Sequence, residues 1–176
     1  MPYQAKGLVE ESAIAAWEAH GWRRLPEDYR RFILRTNGGS VRPYTFELSV
    51  GDDRIGDHVH ALNRFYDWAE VIEEMQEQQP TELRNPPPAR LPIGCSCSEL
   101  VLMLALDEAG YGEVEAWVKD YFNVWGKGGN STVVRVAPSF SAFLDLLRPD
   151  ERSETHHPFW ARDPRLGVKP ALVDLP

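Results

Sequence analysis

The segment from Leu25 to Gly39 carries the clearest helical pattern in the chain. Its aromatic and apolar positions recur with the spacing of one face of an α-helix: Tyr29, Phe32, Ile33 and Thr36. Pro26 suits the first helical position, where the N–H that proline lacks would have no partner within the helix. Asn37-Gly38-Gly39 predicts the helix end, because glycine readily adopts the left-handed conformation of a C-cap. We therefore expect a short, capped helix whose aromatic face packs on the core.

Three further segments, 9–20, 61–79 and 138–147, are predicted to be helices. In the first, Ile14 and Trp17 are the expected core residues, and in the last, Ser139 or a neighbouring residue is the expected N-cap. The helix over 61–79 is strongly periodic, with one apolar face formed by Leu62, Phe65, Tyr66, Ala69 and Ile72. Its other face is loaded with carboxylates, which are Glu70, Glu73, Glu74 and Glu77.

The remaining pattern predicts β-strands. Residues 41–50 alternate as a half-buried strand does, and 51–60 form a polar loop. Residues 91–118 predict a three-strand meander, whose middle strand is apolar at almost every position, as a strand covered on both faces would be. A further strand covers 132–136, and the proline-rich stretch before residue 91 predicts a linker. Helices and strands in this arrangement predict an α+β fold.

The charge of the chain is unevenly distributed. The protein has 176 residues and a net charge of −8, yet residues 44–118 alone hold 4 basic and 15 acidic residues, a net charge of −11. A nucleic-acid-binding protein needs a basic footprint, so this distribution argues against that class. It suits a basic protein partner, although an acidic surface also serves ordinary solubility.

Composition favours a folded protein of one domain, with 43% apolar and 26% charged residues. The sequence shows neither an apolar run near the ~20 residues of a membrane span nor a signal-peptide pattern, so we expect a cytoplasmic protein without membrane contact. The two cysteines, Cys95 and Cys97, are too few for a disulfide framework or for a four-ligand zinc site.

Signals for catalysis are weak. Asp57, His58 and His60 are close enough in sequence to hold a metal, which leaves a small metal-dependent hydrolase as an alternative function. Gly126-Lys127-Gly128-Gly129 lacks the full phosphate-loop pattern. We therefore expect a protein that is not an enzyme and carries neither a metal nor another cofactor.

Several short motifs occur in a fixed order along the chain. They are Leu25, Pro26, Tyr29, Phe32, Leu34 and Asn37-Gly38-Gly39, then Leu91-Pro92-Ile93-Gly94, then Leu102, Leu104, Leu106, Asp107, Gly112, Val114 and Trp117, and finally Ser139 to Leu144. By their order and spacing the chain resembles the SUKH superfamily, which includes the yeast cell-wall assembly regulator and many bacterial immunity proteins. One departure is Cys95-Ser96-Cys97-Ser98-Glu99, which stands where the family usually has a small glycine-containing turn.

The resemblance implies a mixed or mainly antiparallel sheet of about five to six strands with helices on one side. It also implies a non-catalytic binding module, in bacteria often an immunity protein that neutralises a cognate toxin, frequently a nuclease. The alternative within this fold is a regulatory or scaffold module that binds a housekeeping protein. We expect residues 1–148 to form the domain, with 149–176 as a proline-rich tail that packs on it or extends from it.

The expected partner surface is acidic, with one exposed aromatic residue. An inhibitor with this charge can imitate nucleic acid or be steered towards the basic cleft of a nuclease. The candidate contact residues are Asp52, Asp53, Asp57, Glu70, Glu73, Glu74, Glu99, Glu113, Glu115 and Trp125. Trp125 is included because exposed tryptophans in loops often dominate the energetics of an interface, whereas Trp17, Trp68 and Trp117 are expected in the core.

Overall fold

A computed structural model describes residues 7–20, 23–42, 44–49, 57–77, 89–96, 100–118 and 132–149. Within these ranges the chain forms four helices and six strands. In order they are α1 (Glu11–Ala19), α2 (Glu27–Thr36), β1 (Thr45–Ser49), β2 (Asp57–Phe65), α3 (Trp68–Glu77), β3 (Arg90–Ser96), β4 (Leu100–Ala105), β5 (Val114–Val118), β6 (Thr132–Ala137) and α4 (Phe140–Leu146).

The six strands form one sheet in which every strand pairs with its neighbours in sequence. The order is β1-β2-β3-β4-β5-β6, and all five pairings are antiparallel. The sheet curves until β1 and β6 approach each other, which gives it a nearly barrel-like shape. Arg148, beyond α4, then pairs with Thr45 at the free edge of β1. The α+β fold with a mainly antiparallel sheet is therefore confirmed.

The centre of the sheet is buried on both faces, as the apolar run of the middle meander strand predicts. Every residue of β4 from Leu100 to Ala105 is buried, and so is every residue of β5. Trp117 in β5 is 1% exposed, which confirms it as a core residue. A strand buried on both faces carries apolar side chains at successive positions because neither face meets water.

An aromatic cluster joins the helices to the sheet. The ring of Phe65 in β2 lies 5.0 Å from Phe32 of α2 and 5.3 Å from Phe140 of α4, measured between ring centroids. Tyr29 of α2 lies 5.1 Å from Phe140 in an edge-to-face contact. Such pairs add about 0.5–1.5 kcal/mol each beyond the burial of their area. The aromatic face predicted for α2 is thus confirmed, except that Thr36 is exposed.

The Asn37-Gly38-Gly39 segment ends α2, as predicted, and also connects it to the rest of the fold. Asn37 adopts a left-handed conformation with φ of 48°. Its side-chain oxygen accepts a hydrogen bond from the backbone N–H of Trp68 at 2.9 Å, at the start of α3. Gly39 exchanges two backbone hydrogen bonds with Phe65, the last residue of β2. One turn therefore fixes the end of α2 against the junction of β2 and α3.

The helix predicted over 61–79 is wrong for its first part, and the polar loop predicted over 51–60 is wrong for its last part. Residues 57–65 form β2, and the helix begins only at Trp68. The apolar residues at 62, 65 and 66 fit helical spacing, but the backbone of β2 pairs with β1 on one side and with β3 on the other. Pairing with two strands outweighs local periodicity, because the signal of a short apolar segment is ambiguous on its own.

The last predicted helix is confirmed together with its cap. Ser139 has an extended backbone, and its hydroxyl oxygen accepts a hydrogen bond from the N–H of Ala142 at 3.1 Å.

Residues 150–176 lie outside the described residues, so the division into a domain and a tail stays a prediction. Within the described part of the chain, none of the helices has the length and apolar character of a membrane span.

We predict that Gly38→Ala lowers the free energy of unfolding by about 3 kcal/mol or more. A Cβ atom at this position would lie 2.4 Å from the carbonyl oxygen of Tyr66, and φ is +77°. Gly39→Ala is the matched control, because its φ of +109° is also unfavourable for alanine but a Cβ atom meets nothing within 4 Å. Urea unfolding measures both variants, and equal losses of stability would contradict the role of close packing at Gly38.

Candidate partner-binding surface

Three of the connections between strands leave the sheet at the same end. The closing pairs of these hairpins are Ser49 with Asp57, Ser96 with Leu100, and Val118 with Thr132. Because the strands alternate in direction, the β1–β2, β3–β4 and β5–β6 connections all start and finish at the same end of the strands. We call this end of the sheet the hairpin end. The sequence-predicted contact residues Asp52, Asp53, Glu99 and Trp125 belong to these connections and lie outside the described residues.

Asp57 is the first residue of β2 and lies at the hairpin end. Its backbone pairs with Ser49 of β1, while its side chain is outside the described part of the structure. The order of the strands thus associates Asp57 with the three connections that carry the other predicted contact residues. The sequence pattern did not indicate this association, because only 91–118 was predicted to form a meander and residues 57–65 were not predicted to be a strand.

The helical pattern predicts that Glu70 points outward from α3. In the structure its side chain instead turns back to the start of the helix. Its backbone N–H donates to the Asp67 carboxylate at 2.9 Å, and its own carboxylate accepts from the N–H of Asp67 at 3.0 Å. This reciprocal pair is a capping box, which satisfies backbone donors at the start of a helix. The other carboxylate oxygen of Glu70 lies 2.6 Å from Arg64 of β2. The spacing Asp67-x-x-Glu70 could have revealed the cap in the sequence.

Glu73 and Glu74 lie in the second half of α3, beyond its cap. Glu73 is exposed, and it makes no ion pair with any of the residues that the structure describes. Glu74 is half-buried and lies close enough to Tyr66 to help raise the pKa of that phenol, behind burial and Cys95. Of the predicted acidic residues on α3, Glu73 therefore presents its charge to solvent most directly.

Glu115 in β5 is buried and forms an ion pair with Arg90. Its two carboxylate oxygens accept hydrogen bonds from Arg90 Nε at 2.5 Å and from Arg90 Nη2 at 3.0 Å. Arg90 also donates to Asp107, so one guanidinium holds two carboxylates. This bidentate geometry suits arginine, whose planar fork matches a carboxylate. The charge of Glu115 is consequently neutralised within the sheet.

Asp107 completes this cluster at the turn between β4 and β5. The hydrogen bond from Arg90 holds the pKa of the Asp107 carboxyl below its usual range, and the backbone N–H of Gly110, which donates at 2.9 Å, acts in the same direction. The cluster therefore links the first residue of β3 with β5 and with the turn before it.

Glu113, next to β5, is neutralised in a similar but more exposed way. Its carboxylate lies 2.8 Å from Arg135 of β6, and the side chains are 25% and 58% exposed. Three of the predicted contact residues, Glu70, Glu113 and Glu115, thus have arginine partners within the chain. Their contribution to a partner surface stays a prediction. Among the described residues, however, fewer carboxylates are without an arginine partner than the number of acidic residues in the sequence suggests.

The described residues provide no group of three or more side chains able to hold a metal ion. The ring of His60 stacks on Phe46 at 5.9 Å between centroids. The side chains of Asp57 and His58, the other members of the alternative metal site, lie outside the described residues, as does Cys97. Cys95 is half-buried. The hydrolase alternative, for which two of the three side chains are not described, therefore stays a prediction.

Two tryptophans from different helices pack against each other. The rings of Trp17 in α1 and Trp68 in α3 lie 5.5 Å apart in an edge-to-face contact, and Trp68 is 8% exposed. Both pack on the core, as predicted. Trp125 lies outside the described residues, so its role as the aromatic contact stays a prediction.

A comparison with protein families finds a match that extends over most of the chain. The model of the SMI1 / KNR4 family (SUKH-1) matches residues 8–146. The match therefore includes all ten helices and strands. Neither the search of curated proteins nor the search of solved structures finds a match.

We predict that Arg90→Met lowers the free energy of unfolding by about 3–5 kcal/mol, because it leaves the buried Glu115 carboxylate without its cation. Arg135→Met is the matched control, since it removes an exposed arginine from the same sheet and should cost no more than about 1 kcal/mol. Chemical denaturation at neutral pH measures both. A cost for Arg90→Met as small as that of Arg135→Met would contradict the proposed role of the buried pair.

A second prediction concerns pH. The folded-state pKa of Asp107 is depressed, so its ionised carboxylate stabilises the fold above the ordinary Asp pKa of about 3.9. That contribution is lost as the pH falls through the lower, folded-state pKa. Asp107→Asn should therefore be less stable than the wild type at pH 6, and the difference should shrink towards pH 2–3. Denaturation curves across this range test it, and a difference that does not shrink would contradict it.

Proposed function

Because the chain belongs to the SMI1 / KNR4 family (SUKH-1), we propose that it is a non-catalytic binding protein that acts as an immunity protein. In this proposal it neutralises a cognate toxin by forming a stoichiometric complex with it. Membership of the family carries the proposal, since the family fits an immunity or a regulatory role. The described residues add no cluster of metal-binding side chains that would favour catalysis instead.

The charge of the chain favours a basic partner. The net charge is −8, and the acidic excess lies in the middle of the sequence. Oppositely charged surfaces speed association and reject partners of the wrong sign, and both effects weaken as salt increases. A nuclease presents a basic surface to its nucleic-acid substrate. We therefore propose that the toxin is a nuclease and that its basic surface is the part covered.

The proposed contact surface has two parts. One is the hairpin end, with Asp57 and the connections that contain Asp52, Asp53, Glu99 and Trp125. The other is the second half of α3, with Glu73 and Glu74. Carboxylates that already hold an arginine, such as Glu115, contribute little in this proposal, because their charge is compensated nearby.

A regulatory role in the same family is the second candidate. In that case the protein would bind one or more housekeeping proteins, and no toxin would be involved. The family match is compatible with this role as well. The two candidates differ in the number and charge of the partners that they predict.

A capture experiment separates them. The tagged protein is incubated with lysate of its source organism at low and at high salt, and the bound proteins are identified. A single basic polypeptide, bound in a 1:1 ratio and released by salt, supports the immunity role, and loss of its nuclease activity in the complex supports neutralisation. Several unrelated housekeeping proteins would favour the regulatory role and contradict the immunity proposal.

We predict that Glu73→Lys combined with Glu74→Lys weakens binding of the captured basic partner about tenfold or more at low salt, which corresponds to about 1.4 kcal/mol. The control combines Glu10→Lys, just before α1, with Asp145→Lys, on α4. Both positions are exposed, and the pair changes the net charge by the same amount. Isothermal titration at two salt concentrations gives the affinities. Equal weakening by both pairs would point to the overall charge of the protein and would remove α3 from the proposed surface.

A further inference from the structure

We draw no further inference here: the strongest candidate, the outer edge of β6 with the exposed side chains of Val133 and Arg135, is an unpaired sheet edge among the described residues, and nothing in the structure shows what covers it.

Discussion

The turn at Asn37-Gly38-Gly39 is the constraint on which the arrangement of helices and sheet depends. Asn37 ends α2 in a left-handed conformation, and its amide group then bonds in two directions, to the N–H of Trp68 and to the carbonyl of Gly7. Gly38 lies so close to the backbone of Tyr66 that a side chain there would collide with it. The turn holds the end of α2 against the end of β2, where Phe32 meets Phe65. A loss of close packing here would affect several elements at once.

Arginine determines how much of the acidic charge remains available for a partner. The chain has a large excess of carboxylates, yet arginines hold three of those expected on the surface. The buried pair of Arg90 and Glu115 keeps a charge inside the sheet, which is tolerable because the two groups bind each other with good geometry. Among the predicted contact residues on α3, Glu73 is exposed and free of such an arginine partner within the described part of the chain. Family membership and charge are the two independent grounds for the proposed immunity role.

The exposure of the described candidate residues was predictable only in part. Glu73 could be assigned to an exposed helical face from spacing alone, because it belongs to a helix that exists in the structure. Glu70 was placed on that face by mistake, because the helix was predicted to begin several residues too early and the capping-box spacing from Asp67 was overlooked. Glu115 alternates with apolar residues, which in a half-buried strand indicates exposure. In this sheet the second face is covered too, and Arg90, distant in sequence, provides the counter-charge.

Sequence patterns alone were enough to predict the fold class, the family, the end of α2, the fully apolar central strand and the cap of α4. Each of these rests on local chemistry or on a short-range pattern: a left-handed turn, a run of buried positions, or a serine before a helix. Three features became known only from the fold: residues 57–65 form a strand, all five described strand pairings are antiparallel, and arginines neutralise particular carboxylates. Strand pairing and ion pairing join residues far apart in the chain. Their partners therefore cannot be derived from periodicity, which reports only on neighbouring positions.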